Sequence, residues 1–169
     1  MLLTPVQFAA KWRLNRRNER GAYQEHFLDL CRLLGQETPN QDPTGEAYAF
    51  EKGAGKQDGG QGFADVWRRN CFAWEYKGKH ADLTKAYQQL QQYRESLLNP
   101  PLLIASDIER IVIHTNFTNA VKRVYEIGLA EIEQDRWMTP LAEAKWARPH
   151  ATPVAMLRAM FADPESFRP

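Results

Sequence analysis

An α/β fold built on a mixed central sheet flanked by helices is what this chain predicts, and three observations carry the prediction. Its segments run as helices, three strands, a long helix, more strands and short helices, an order that suits packed layers. Residues 63–67 and 71–77 are rich in aromatic side chains and alternate with period two. Residues 82–98 repeat apolar side chains with the helical period.

The elements follow in order. Residues 8–34 carry helical periodicity with an expected break near Gly21; in the second part Phe27, Leu30, Cys31 and Leu34 form one stripe, and Gly35 is placed to stop it. Residues 36–45 are rich in turn formers, and residues 47–52 make a short strand. Five glycines between positions 53 and 62 mark a flexible connection. The Gly55-Lys56 pair within it is not a phosphate-binding loop, because Gln57 replaces the required Ser or Thr and Phe50 stands where the first glycine belongs. Strands follow at 63–67 and 71–77, joined by Arg68-Arg69-Asn70. In the helix at 82–98, Leu83, Ala86, Tyr87, Leu90, Tyr93 and Leu97 share a face, and Asn99-Pro100-Pro101 ends it. Residues 102–105 and 110–114 read as buried strands, and residues 120–127 read either way, with strand character at the 124–127 end. Residues 139–147 and 153–161 read as short helices.

At 169 residues the chain is the size of one domain, long enough to fold without disulfides or metal. Hydrophobic residues at 43% and charged residues at 25% exclude disorder and fibrous classes. No apolar run nears the roughly 20 residues of a membrane span, and the first 17 residues place their charges in the reverse of signal-peptide order. Cys31 and Cys71 match no metal-ligand spacing and read as reduced thiols of a cytoplasmic protein. A formal charge of +1 neither favours nor excludes a polyanionic partner. Lys11, Arg13, Arg16, Arg17 and Arg20 crowd together, as a solvated helix face or as a patch that contacts phosphates.

The chemistry concentrates between Phe63 and Lys77. Alternation along the second strand puts Phe72, Trp74 and Tyr76 on one face and Ala73, Glu75 and Lys77 on the other. Asp65 lies on the preceding strand among apolar neighbours, where a carboxylate is costly unless paired, protonated or bound to a cation. Antiparallel partners share a face, so Asp65 joins Glu75 and Lys77 only if paired positions sum to an even number. A three-residue connection, 69–71 or 68–70, meets that condition, and a two-residue turn does not unless a bulge compensates. On one face, two carboxylates make a hard oxygen site for Mg²⁺, and the lysine adds a cation beside a scissile phosphate.

Asp65, nine residues, then Glu75-Tyr76-Lys77 resembles the signature of the PD-(D/E)XK nucleases, with Ala64 where proline often stands. The stretches HFLDLCRLLG (26–35), YAFEKG (48–53), GFADVWRRNCFAWEYKGKHADLTKAYQQLQQY (62–93), NPPLLIASD (99–107) and IVIHTNFT (111–118) resemble the N-terminal nuclease domain of MmeI-like, type IIL restriction–modification enzymes. The resemblance spans about residues 5–165. It implies a restriction-endonuclease-like core and a Mg²⁺-dependent endonuclease, with Mn²⁺ as a substitute, acting on double-stranded DNA. It also implies a methyltransferase and a target-recognition domain, in the same polypeptide or a partner chain. Asp65, Glu75 and Lys77 would be catalytic, with Asp65, Glu75 and the Tyr76 carbonyl on the metal and Lys77 as base or water-orienting cation. Gln89 and Tyr93, four apart on one helix face, resemble the Gln-x-x-x-Tyr element of RecB-like nucleases. Glu25 and Glu19 sit where related nucleases supply a further acid, and Arg68, Arg69 and Lys79 are expected on phosphates rather than bases.

Other readings are weaker. Asn99-Pro100-Pro101 looks like a methyltransferase motif, but Leu102 follows and no glycine-rich loop precedes it, so no S-adenosylmethionine site is expected. His114-Thr115-Asn116 lacks the second histidine of an HNH nuclease, and His26 and His80 read as structural or exposed. The expected organisation is a nuclease domain over residues 1–138 and, over 139–169, a helical tail or the start of a connector. The alternatives are a non-catalytic DNA-binding or interaction module on the same fold, or a repair or junction-resolving nuclease.

Overall fold

The computed structural model describes residues 2–17, 19–55, 61–140 and 145–169. Its centre is a six-stranded mixed sheet: β1 (Tyr48–Gly55), β2 (Gln61–Arg68), β3 (Phe72–Tyr76), β4 (Leu102–Ser106), β5 (Arg110–Thr115) and β6 (Val124–Gly128), side by side in chain order. Every neighbouring pair is antiparallel except β3 and β4, which run parallel. A parallel pair needs a crossover, and the helix Leu83–Tyr93 supplies it. Asp82 starts that helix by accepting a bond from the Thr84 N–H.

The two sheet faces are filled differently. On one, Val66, Phe72, Trp74 and Tyr76 meet α1 (Pro5–Arg13), α2 (Glu19–Leu34), α4 (Leu129–Gln134) and α5 (Pro153–Ala162) in one apolar core, the crossover helix being α3. Phe27 is its hub, with ring contacts to Tyr48, Phe50, Phe72, Trp74 and Phe161. On the other, Ala64, Ala73 and Leu103 pack with Leu90, Tyr93 and Leu97, while Ala105 and Val112 pack with Leu83 and Ala86. Small side chains there let α3 lie close to the strands.

The expected break near Gly21 falls instead at residues 14–17, and Gly21 lies in the first turn of α2. A glycine costs a helix backbone entropy, about 1 kcal/mol, rather than a hydrogen bond, so a single one does not break it. Buried Asp29 ties α2 to α1: it accepts from the Trp12 indole N–H (3.0 Å) and pairs with Lys11 (2.8 Å) and Arg32 (2.7 Å). Gly35 ends α2 with a positive φ of 66°, as expected. Of the connection expected over 53–62, residues 53–55 and 61–62 belong to β1 and β2, and 56–60 lie outside the described residues.

In the helix expected over 139–147, the described residues 139–140 and 145–147 are not helical, and 141–144 lie outside the described residues. The short α4 leaves no sequence signal, because six residues show too little periodicity; buried Glu131 accepts from the N–H groups of Gly128 and Met138 and fixes it. Within the stretch read as a tail, α5 enters the main core through Met156, Leu157, Met160 and Phe161. Among the described residues no helix is long and apolar enough to cross a membrane.

Because the Phe27 ring is fully buried at the meeting point of α2, α5 and the sheet, Phe27→Ala should lower the unfolding free energy by about 3–5 kcal/mol. Urea denaturation followed by tryptophan fluorescence measures that loss.

Candidate functional site

The site begins with strand register. Val66 pairs with Trp74, Trp67 with Ala73 and Arg68 with Phe72, so the turn is the three-residue connection 69–71 and paired positions have an even sum. Asn70 takes a left-handed φ of 64° in that turn, a conformation asparagine tolerates. Asp65 thereby falls opposite Glu75, where the ladder opens: the Tyr76 N–H donates to Asp65 Oδ2 at 2.7 Å. A carboxylate substitutes for a strand carbonyl, and the peptide behind Tyr76 is held by a side chain.

The outer side of β2 is irregular at the same level. The β1–β2 ladder pairs Phe50 with Val66 and Lys52 with Ala64 but omits Glu51 and Asp65, and Glu51 has a φ of 53°. Simple alternation fails here, since Ala64 and Trp67, three apart, belong to one cluster and the Lys52 ammonium lies 4.7 Å from the Trp67 ring centroid. The distortion borders a cleft of about 480 Å³ lined by Tyr23, Glu51, Phe63, Asp65, Glu75, Tyr76 and Lys77.

Electrostatics in the cleft are dominated by Glu75. It is 8% exposed, its Oε1 has no hydrogen-bond partner among the described residues, and Lys77 Nζ stands 3.7 Å from Oε2. Burial pushes its carboxyl up to about 8, the adjacent Asp65 charge pushes the same way, and Lys77 opposes them. The pair thus holds a proton that two solvated carboxylates would release. A divalent cation fits this donor set: it would meet the orphaned oxygen and remove the repulsion that keeps Glu75 protonated. Among the described residues no three His, Cys, Asp or Glu side chains converge on such an ion. Two carboxylates suit Mg²⁺, which keeps much of its hydration, better than zinc, which takes three or four protein ligands.

The surroundings are rigid. Tyr76 O–H and His26 Nδ1 share a 2.8 Å hydrogen bond, and the His26 ring lies edge-on to Phe8, Trp12 and Tyr76. Full burial drives that imidazole down to about 3, so it is neutral. From α3, the Tyr93 hydroxyl donates to the Phe63 carbonyl at 2.8 Å, and burial beside Glu75 and Asp65 raises its pKa. Gln89 lines a shallow groove with Lys77, its Oε1 buried without a partner among the described residues.

Several expected residues lie elsewhere. Glu25 is held by Lys11 (2.9 Å) and Arg17 (3.1 Å) and does not line the cleft, so α2 presents Tyr23 there instead. The side chain of Glu19 lies outside the described residues. Arg68 stacks over the Tyr48 ring, and with Arg69 it lines a separate pocket beside Glu37, Asp42 and Glu46. The acids there oppose the phosphate contacts expected of these arginines. Lys79 pairs with Glu109 and lines a groove that meets the site at Lys77.

Tyr23, Glu51 and Phe63 join the site without having been expected from the sequence. Phe63 is 61% exposed at the rim, and Tyr23 donates to Glu51 Oε1 at 3.1 Å. The positive φ of Glu51 leaves no trace in residue type, whereas Phe63 carries a signal: an aromatic at the end of a strand beside a glycine-rich connection.

The fold and this site define an α/β protein whose sheet carries an acid pair and a lysine in one cleft. The chain belongs to the family described as MmeI, N-terminal domain, which matches residues 3–158, and so to a region of restriction–modification enzymes. No curated protein and no solved structure matches it.

Because the folded state holds a proton on Glu75 that the unfolded chain releases near the ordinary value of 4.5, stability in EDTA should fall as pH rises from about 5 to 8. Glu75→Gln should flatten that fall and be the more stable protein at pH 8. Urea denaturation of both proteins at pH 5 and pH 8 checks the direction.

Proposed function

We propose that this chain is a Mg²⁺-dependent DNA endonuclease module of the PD-(D/E)XK type, the cleavage part of a restriction–modification enzyme. The single observation carrying the reading is the convergence of Asp65, Glu75 and Lys77 in one cleft, through a hairpin whose register permits it. The crossover helix α3 between parallel β3 and β4, behind a three-stranded antiparallel unit, supports the same class.

Asp65 and Glu75 would hold the ion, with the Tyr76 carbonyl as a further oxygen donor. Bound Mg²⁺ supplies a water of lowered pKa and a Lewis acid for the phosphoryl oxygens. The remaining work falls to side chains. Asp65 is oriented by the Tyr76 N–H, which fixes its carboxylate at the mouth of the strand pair. Lys77 Nζ, 3.7 Å from Glu75 Oε2, orients the attacking water or takes its proton, and offsets charge growing on the phosphate. Tyr93 braces β2 through the Phe63 carbonyl, and Gln89 offers its amide beside Lys77. Double-stranded DNA is the substrate, and methyltransferase and target-recognition domains, in the same polypeptide or a partner chain, are the associates this reading supplies.

Supercoiled plasmid incubated with Mg²⁺ should be nicked and then linearised, with Mn²⁺ as a substitute. Asp65→Ala and Lys77→Ala should each lower the nicking rate by about 100-fold or more, since each removes a group needed in the transition state. Calorimetric titration with Mn²⁺ should show binding to the parent and its loss in Asp65→Ala. Equal nicking by parent and both variants would sink the assignment.

A further inference from the structure

The side of Lys77 away from the acid cleft opens into a second concavity of about 400 Å³, lined by Asn15, Arg16, Arg17, Lys77, Gly78, Lys79 and Ile108. Four cations line it, and among the described residues no acid does. The groove joins the linker between α1 and α2 to the end of β3, which are remote in sequence. Arg17 is held in place: its N–H donates to Asn15 Oδ1, its guanidinium lies 5.9 Å from the Trp12 ring, and the Asp29 network binds α1 to α2 behind it. The partners of Arg17 and Lys79, Glu25 and Glu109, form half-exposed ion pairs of the kind that contributes little to stability and exchanges readily. Arg16 has no hydrogen bond or ion pair among the described residues.

We infer that this groove is a phosphate track: Arg16, Arg17 and Lys79 seat backbone phosphates of the DNA strand that passes over Lys77 into the acid cleft. The inference rests on the nuclease reading for its ligand, and it moves the phosphate contacts expected of Arg68 and Arg69 to the α1–α2 linker. The shared lysine is what favours a nucleic acid over a compact anion. A linear polyanion can occupy the groove and the cleft at once, and its flanking phosphates balance the cations while the scissile one meets the acids. Arginine forks pair bidentately with phosphate oxygens, so Arg16 and Arg17 position the strand without reading its sequence.

The test is binding of a fluorescein-labelled duplex in EDTA, by anisotropy from about 50 to 200 mM NaCl, the range over which phosphate contacts declare themselves, with plasmid nicking in Mg²⁺ measured on the same proteins. The parent is compared with Arg16→Ala, the double variant Arg16→Ala/Arg17→Ala, the charge-keeping Arg16→Lys/Arg17→Lys, and Arg168→Ala, which removes a cation paired with its neighbour Glu165. The double variant should bind about 10-fold more weakly or worse at the lowest salt, and its slope of log K against log salt should shrink by about 2, against about 1 for Arg16→Ala alone. The lysine pair should keep the slope, and Arg168→Ala should bind like the parent. Arg16→Ala guards against misfolding, since that side chain gives up no hydrogen bond or ion pair among the described residues. An unchanged slope in both alanine variants, or an equal loss in Arg168→Ala, overturns the track. A parent that binds with the expected slopes but never nicks overturns the nuclease reading and leaves the track standing; a parent that nicks while the arginine variants bind normally does the reverse.

Discussion

The bond from the Tyr76 N–H to the Asp65 carboxylate is the constraint on which the site depends. It closes the β2–β3 pair at the point where the strands would otherwise part, and so brings Asp65 to Glu75. An acid in that position serves the fold and the site with the same carboxylate. The cost appears in Glu75, whose buried, unpartnered oxygen and raised pKa show a carboxyl group kept where the described residues alone do not satisfy it. Stability and chemistry therefore pull against each other over one pair of side chains.

Much of this is legible in the residues. Alternation in 71–77 puts the aromatics on one face and Glu75 with Lys77 on the other, and parity reduces the role of Asp65 to the length of one turn. The helix at Leu83–Tyr93 and the strands at Leu102–Ser106 and Arg110–Thr115 follow from period and from Pro100-Pro101. Illegible are the features set by backbone geometry or tertiary charge. The φ of Glu51 and the switch of sheet face between Ala64 and Val66 depend on how β1 meets β2. Glu25 has the helix phase for a metal acid, yet Lys11 and Arg17 claim it, and that pairing requires knowing where α1 lies.

Charge is organised around Lys77, which borders the acid cleft, the arginine groove and the glutamine-lined groove along α3. An anion entering along the arginine groove, which no acid among the described residues lines, meets cations before the carboxylates. The order matters, because a pair of acids repels an anion that no cation has met first. Arg16 and Lys77 are far apart in the sequence, and only the joining of helix linker to strand end makes them neighbours.

The alanines beneath α3 carry a mechanical corollary. Where the methyl groups of Ala64, Ala73 and Ala105 meet it, the helix rides at a height set by the strands rather than by adjustable side chains. One added methylene would act as a wedge, tilting the rod that carries Gln89 and Tyr93 and loosening the grip of Tyr93 on the start of β2. Miniature residues beside the acid pair, Ala64 next to Asp65 and Ala105 opposite Glu75, thus serve as the gauge that keeps the cleft in trim.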